Sequence, residues 1–295
     1  YEPDKGLEEL QARIYNDELK RNSRTAFAAV TAEQIRQRYL AEKKDPKGVM
    51  YALKEDGSPL AYIQTSLSFN PPRTWIGYPW AMEDCPSEVQ EKLFEDMLAH
   101  IRDKYPDNEV VMGYLSDSWE KQIAFAESKG FVSIDKAHFY GLDTRKVSHE
   151  TDQEYTVKIG KQDDLDALVE LSKADTELNA EFPDDEARIG YFKGRVLTEG
   201  HVILVFKDDQ AVCASAPLRG FYRGIFPRFA AIRPGFENAW KLLLKELAVH
   251  CREQGWKEPL LLTSFVKWEL TEPLTKDLGA DLLDTQLLFS LKKSG

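Results

Sequence analysis

Apolar residues at Leu7, Leu10, Ile14 and Leu19 recur near the helical repeat and predict a helix over residues 7–19. Thr31, followed by Glu33 and Gln34, predicts a second helix that opens in capping-box style and runs to about Ala41. Strand-like runs at 49–54 and 60–67 flank Glu55-Asp56-Gly57-Ser58, the composition of a hairpin turn. A long strand is expected over 74–82. Val89, Leu93, Met97 and Ile101 then step by four along a helix from Ser87 to about Lys104, with Ser87 as its cap. A buried strand over 110–115, a short helix over 119–129 ended by Gly130, and closing strands over 131–142 complete this half.

Residues 143–154 are polar, charged and without periodicity, as a linker would be. Beyond them the order repeats. Helices are expected over 163–173 and 184–197, the second led in by Pro183. A hairpin over 201–206 and 211–218 turns at Lys207-Asp208-Asp209-Gln210. A long strand over 224–232, a main helix over 236–255, a buried strand over 259–265, a short helix over 269–278 ended by Gly279, and a final strand over 280–291 follow. The hairpin turns, main-helix starts and helix-ending glycines recur at an offset of about 150 residues, the mark of a duplicated fold. The expected domains are 1–145 and 155–295, joined by a linker at 146–154.

Composition narrows the function. With 42% hydrophobic and 11% aromatic residues the chain can bury a substantial core. Its 39 basic and 50 acidic residues give a net charge of −11, which repels phosphate backbones and anionic lipid. Neither nucleic acid nor a membrane is an expected partner. No apolar run approaches the roughly 18–20 residues of a membrane span, and no basic-apolar leader is seen at the start of the sequence. Three cysteines, odd in number and far apart, point to a reducing compartment, so the cytoplasm is expected. Neither they nor the five histidines show metal-ligand spacing, so no metal is expected.

Phe125-Ala126-Glu127-Ser128-Lys129-Gly130-Phe131 resembles the short-helix ending F-Y-E-K-L-G-F of the GCN5-related N-acetyltransferases, and Leu274-Thr275-Lys276-Asp277-Leu278-Gly279-Ala280 is a less complete copy. The order of elements resembles that family in both halves. The resemblance implies an α/β (α+β) fold of two tandem acyl-CoA N-acyltransferase-like domains, each a mixed, mostly antiparallel sheet flanked by helices. It also implies acetyl-CoA or another acyl-CoA as cosubstrate and a small amine or amino-acid-like acceptor.

The family's main helix follows a loop R-x-x-G-x-G/A, whose backbone N–H groups at a helix N-terminus receive a pyrophosphate. In the first half the stretch Met82–Gln90 has no glycine and no basic residue, while Glu83, Asp84 and Glu88 would repel phosphate. In the second half the matching stretch keeps an arginine, a glycine and small residues. The resemblance therefore places cofactor binding at Ala231, Ile232, Arg233, Gly235, Phe236, Asn238 and Ala239. A plain turn at Pro234-Gly235 is the competing reading.

The tyrosine that the family often uses to protonate the departing thiolate is replaced by Ala126 in one half and Thr275 in the other. A general base would come from Glu83 or Asp84, or from Asp175, Glu177 or Glu181, with Asp175 and Glu177 preferred; each also reads as a solvated cap. Tyr222, Phe226 and Arg228 belong to a stretch of aromatics and arginines (Arg219, Phe221, Arg223) suited to stacking a ring, and are the candidate substrate contacts. Trp75, Tyr78 and Trp80 read either as a pocket wall or as packing. Cys85 has carboxylates beside it and no histidine nearby in sequence, which argues against a nucleophile. An N-acetyltransferase with its active site in the second half is the leading expectation. The alternatives are a catalytically inactive binding or scaffold protein of the same fold and, least favoured by the acidic balance, an aminoacyl transferase using charged tRNA.

Overall fold

The computed structural model describes residues 7–21, 27–41, 45–69, 72–149, 154–182, 184–219 and 222–291. The first half runs α1 (Leu7–Arg21), α2 (Ala32–Ala41), β1 (Val49–Leu53), β2 (Pro59–Phe69), β3 (Pro72–Ile76), β4 (Trp80–Ala81), α3 (Ser87–Lys104), β5 (Glu109–Ser116), α4 (Glu120–Ser128) and β6 (Phe131–Leu142). The second half runs β7 (Thr156–Ile159), α5 (Leu165–Ala174), α6 (Thr176–Ala180), α7 (Asp185–Tyr191), β8 (Ile203–Lys207), β9 (Gln210–Leu218) and β10 (Phe226–Ile232). It ends with α8 (Ala239–Glu253), β11 (Leu260–Thr263), α9 (Trp268–Asp277) and β12 (Asp281–Leu291).

Local chemistry explains many of these boundaries. Thr31 and Gln34 form the capping box: the Thr31 N–H donates to Gln34 Oε1 at 2.8 Å, and the Gln34 N–H donates to Thr31 Oγ1 at 3.2 Å. Gly130 and Gly279 end α4 and α9 at φ +84° and +68°, where a Cβ would be strained. The β8–β9 turn places Asp208 and Asp209 at positive φ, as a tight hairpin of matching twist requires.

Several expected elements differ. The strand expected over 74–82 breaks at Gly77-Tyr78-Pro79, and both of its pieces, β3 and β4, pair with β2. Pro86 precedes α3 and no side chain caps it, so Ser87 is the first helical residue and not the cap. The helix expected over 184–197 passes at Phe192 into a wider π turn and then a 3₁₀ turn. Two turns fill residues 234–238, and α8 starts at Ala239, three residues later than the apolar run suggests. β7 alternates polar and apolar over only four residues and α6 spans five, so both are too short to stand out in the sequence.

The described chain divides into two compact units, Tyr1–Ala137 with Asp284–Gly295, and His138–Leu283. In the first unit the strand order is β1-β2-β3-β5-β12, with β4 on β2, and the β3–β5 pair is parallel while the others are antiparallel. In the second, β10-β9-β8-β7 form an antiparallel sheet, and the end of β6 pairs with β11. The closing strand beside β5 is thus β12, and the one beside β11 is β6. Each unit takes its last strand from the other half of the sequence.

In the second unit the sheet is buried on both faces, which makes its strands read as near-continuous apolar runs. Val205, Cys213, Ala230 and Ile232 pack with Trp240, Leu243 and Leu247 of α8. The alternate residues Leu204, Ala214, Phe229 and Ala231 pack with Leu168 and Leu171 of α5 and with Phe192. Arg252 of α8 donates to the carbonyls of Thr144 (3.1 Å) and Val147, so the start of the expected linker is packed on the second unit. Residues 150–153, the rest of that stretch before Glu154, lie outside the described residues, as do Pro183, Gly220 and Phe221.

β10 and β11 meet at a parallel bridge, Ile225↔Leu260. Gly224 lets them approach there, because a Cβ on it would lie 2.4 Å from Leu261 Cγ. Gly224→Ala is expected to cost about 1–3 kcal/mol of stability through overpacking. A chemical-denaturation midpoint would check this, and an unchanged midpoint would count against the close approach.

Candidate functional site

In the first half, the loop that precedes α3 is built from internal contacts. Lys54 Nζ donates to Asp84 Oδ2 at 2.6 Å and holds that carboxyl below its ordinary range. The Cys85 N–H donates to the Met82 carbonyl at 3.0 Å. Burial and then the Asp84 charge push the Cys85 thiol up, which is the opposite of what a nucleophile needs. The region around β4 is filled by rings: Trp80 meets Tyr78, Tyr15 and Trp119 edge-on at 5.4, 5.2 and 5.2 Å, and Tyr78 meets Phe125 at 5.4 Å. Tyr78 and Trp80 are therefore packing, and Trp75 pairs with Tyr114 at 6.0 Å.

The second half is different. Beyond the Ile225↔Leu260 bridge, no further β10–β11 pairing is formed among the described residues, and a cleft of about 350 Å³ opens beside the end of β10. Ile232 and Pro234 supply one side and Glu237 the helix-start turn. Thr176 and Glu177 come from α6, and Lys267 to Leu270 from the start of α9. The volume falls within the range of small-molecule sites.

Backbone geometry aims one donor into this gap. Ile232 pairs with Cys213 on β9 while the next N–H, that of Arg233, donates to the Val212 carbonyl at 2.8 Å. Successive N–H groups of a strand point to opposite edges, so that of Ile232 faces away from β9, toward the gap. Asp175 accepts it there: Oδ2 takes the Ile232 N–H at 2.8 Å, while Oδ1 takes the Leu178 N–H at 3.0 Å and Lys267 Nζ at 2.9 Å. Lys267 also donates to Glu177 Oε2 at 2.6 Å. Burial disfavours the Lys267 charge, but the hydrogen bonds of Glu177 and Asp175 outweigh it and raise the pKa. Burial, with the charges of Asp175 and Glu177, pushes Glu181 up against the pull of Lys267. Lys267 itself sits at φ +46°, a left-handed conformation that costs a non-glycine residue about 1–2 kcal/mol. Two ion pairs anchor it.

The turn before α8 accounts for the remaining expected cofactor residues. The Phe236 N–H donates to the Arg233 carbonyl at 3.1 Å and the Ala239 N–H to the Phe236 carbonyl at 3.0 Å. The Gly235 N–H donates to Glu237 Oε1 at 3.0 Å. Asn238 Oδ1 accepts from the Tyr155 hydroxyl at 3.0 Å, and Arg233 Nε reaches the Ala211 carbonyl at 3.3 Å. Ala231 is a buried strand residue paired with Ala214.

The structure brings Asp175, Glu177 and Ile232 together, with Arg233 and Gly235 adjoining. Sequence reasoning missed Lys267, whose role depends on partners about 90 residues away, and Glu237, which reads as an ordinary first-turn acid. Tyr222, Phe226 and Arg228 do not line this cleft. Tyr222 stacks on Phe226 at 5.9 Å and meets Phe139 at 5.2 Å, and Arg228 grips both oxygens of Glu199 at 2.9 and 2.7 Å. Arg219 pairs with Glu258. The two positions aligned with the family's tyrosine are buried: Ala126 in the core and Thr275 bonded through Oγ1 to the Glu272 carbonyl at 2.8 Å. Among the described residues no cluster of three or more side chains is placed to hold a metal, and no helix is long and apolar enough to cross a membrane.

A mixed, mostly antiparallel sheet flanked by helices, with two strands diverging beside the start of a main helix, is the fold of the GCN5-related N-acetyltransferases, here in a tandem arrangement. The chain is similar to a GCN5-related N-acetyltransferase from Sphaerobacter thermophilus, with a TM-score of 0.70 and 12% identity over 97% of this chain and 93% of that one. It is also similar to a tandem protein of this fold from the clavulanic acid biosynthesis pathway, with a TM-score of 0.68 and 13% identity over 99% and 97%. A third likeness is to an acetyltransferase from Colwellia psychrerythraea, with a TM-score of 0.63 and 10% identity over 99% and 98%. At these identities the likeness is one of fold. No protein-family model matches the sequence, and no curated protein does.

Proposed function

We propose that this protein is an acyl-CoA-dependent N-acetyltransferase for a small amine or amino-acid-like acceptor, and that its C-terminal half holds the acyl-CoA. The observation that carries this reading is the cleft beside the end of β10, lined by Ile232, Pro234 and Glu237 just before the main helix. The N-terminal half, with its ring-filled core and acidic loop, serves as a companion domain. A small acceptor, and not a nucleic acid or a membrane, suits both the chain's charge of −11 and the glutamates around the cleft. The expected location is the cytoplasm, in keeping with three free cysteines.

Acyl-CoA would bring an acyl group activated as a thioester. Of Asp175 and Glu177, Glu177 is the freer to take a proton from the acceptor's ammonium and leave the free amine to attack, since its side chain is 74% exposed while both oxygens of Asp175 are engaged. Neither Ala126 nor Thr275 can donate a proton near neutral pH, so the thiolate would leave unprotonated or take a proton from water.

A second reading, a catalytically inactive binding or scaffold protein, is favoured by one specific feature: carboxylates of the chain occupy the Ile232 and Gly235 N–H groups. Thermal denaturation with millimolar acetyl-CoA separates the two. The enzyme reading expects stabilisation of about 2.7 kcal/mol at a hundred times Kd, with most of it lost in Arg233→Glu and CoA released on adding amines. No shift at millimolar acetyl-CoA leaves the scaffold reading.

A further inference from the structure

We propose that His149 is a proton-operated latch: as an imidazolium it fastens the end of a strap, residues 143–149, to α8, and on losing a proton it releases that end. The latch lies outside the cleft beside β10 and shares no residue with it.

Both ring nitrogens of His149 meet carboxylates on one face of α8. Nδ1 lies 3.0 and 3.3 Å from the two oxygens of Glu246, and Nε2 lies 3.3 Å from Glu253 Oε1. Glu246 and Glu253 are seven residues apart, two helical turns, and so share a side of the helix. A neutral imidazole carries one N–H and would turn a lone pair toward one of the two carboxylates. Only the imidazolium donates at both nitrogens, so the contact and the proton come and go together. The hydrogen bonds of Glu253 and Glu246 accordingly raise the His149 pKa above its ordinary 6.5. Fastening is therefore complete below pH 6.5 and is lost as pH climbs through the raised value.

The other charged and titratable groups nearby leave this change to His149. Lys158 of β7 lines the same cavity, but its Nζ is held by Asp164 Oδ1 at 2.6 Å. On the strap itself Arg145 pairs with Asp143 at 2.8 Å, and Lys146 is exposed. His250, one turn beyond Glu246 on α8, has its Nε2 3.0 Å from His201 Nδ1. Burial, and then the His201 charge, push the His250 pKa below the ordinary histidine value, so it stays neutral where His149 changes. Arg252 grips the carbonyls of Thr144 and Val147 with a guanidinium that does not titrate. The start of the strap therefore stays in place, and Ser148 and His149 alone come free. His149 is also part of the wall of a cavity of about 380 Å³, together with Val157, Ile203 and Val249. Opening the latch removes that part of the wall.

Histidine-ring NMR titration of the intact protein, with backbone Cα relaxation, tests this in wild type, His149→Gln, His149→Arg and Glu253→Gln. The wild-type His149 ring is expected to titrate above 6.5, and Glu253→Gln should lower its proton affinity about two- to fivefold, the range of one exposed ion pair. The Cα sites of Ser148 and His149 should pass from order parameters of about 0.85 at about pH 5.5 to below about 0.6 at about pH 8.5. Thr144, inside the Arg252 grip, should stay rigid at both. His149→Gln should leave Ser148 loose at both pH values. His149→Arg keeps a charge that does not titrate and should leave Ser148 rigid at both. Ring titration at or below 6.5 would overturn the latch. So would equal order of Ser148 at the two pH values in wild type, or a His149→Gln strap that loosens with pH as the wild type does.

Discussion

Asp175→Ala is expected to destabilise the protein by about 3–5 kcal/mol, the cost of removing one partner from a buried ion pair. The carboxylate is 2% exposed and meets three donors: the Ile232 N–H, the Leu178 N–H and Lys267 Nζ. Alanine would strand two buried N–H groups and a lysine whose side chain is 12% exposed. Asp175→Asn keeps the shape and one acceptor oxygen, and should lose roughly half as much. Chemical denaturation at neutral pH checks both.

The same cluster predicts a pH dependence with a definite sign. The Lys267 pKa is raised above its ordinary 10.5, so the folded state holds that proton more tightly than the unfolded chain does. Its contribution is complete below pH 10.5 and is lost as pH climbs through the higher folded value. Lys267→Met should flatten that alkaline loss. If the wild type and Lys267→Met lose stability in parallel above pH 10.5, the ion-pair cluster does not hold the cleft.

Trp240→Ala is the second large effect, with an expected loss of about 3–5 kcal/mol for emptying the site of a buried tryptophan. Trp240 is 1% exposed on the first turn of α8, and its Nε1 donates to Thr271 Oγ1 of α9 at 3.0 Å. Thr271 passes the bond on to the Val266 carbonyl at 3.0 Å. These links tie the helix start that carries Glu237 to the helix start that carries Lys267 and Trp268, the two sides of the cleft. Trp240→Phe keeps most of the volume and removes the donor. It should cost less than the alanine variant, about 1–2 kcal/mol, while still loosening the cleft and weakening any ligand held there. Equal stability of Trp240→Phe and wild type would show that Thr271 finds another donor.

Much of the fold is legible in the sequence because the signals are local. A capping box at Thr31 and Gln34, positive-φ glycines at 130 and 279 and two aspartates in the 208–209 turn act over four or five residues. They appear in the structure where the sequence puts them. Strand partnership is another matter. Alternation fixes which face a residue occupies and says nothing about which strand lies beside it. The pairing of β12 with β5 and of β6 with β11 could not be read from two similar closing strands. The break at Gly77-Tyr78-Pro79 does carry local marks, a glycine and a proline, which the apolar residues on either side outweigh when the stretch is read as one strand.

The site divides along the same line. Asp175 and Glu177 could be picked out as carboxylates between helices, and Arg233 and Gly235 as the remains of a loop motif. Lys267 could not, since a lone lysine before a helix carries no local mark of a buried partner. Glu237 shows the opposite failure: it looks like an acid favoured by the helix dipole, yet its side chain folds back on Gly235.

Hydrogen–deuterium exchange of the intact protein with and without saturating CoA tests the central proposal most directly, because it locates the ligand as well as detecting it. Slowed exchange is expected at residues 232–240 and 267–271, with residues 83–90 unchanged. Protection confined to residues 83–90, or none in either segment, would contradict it.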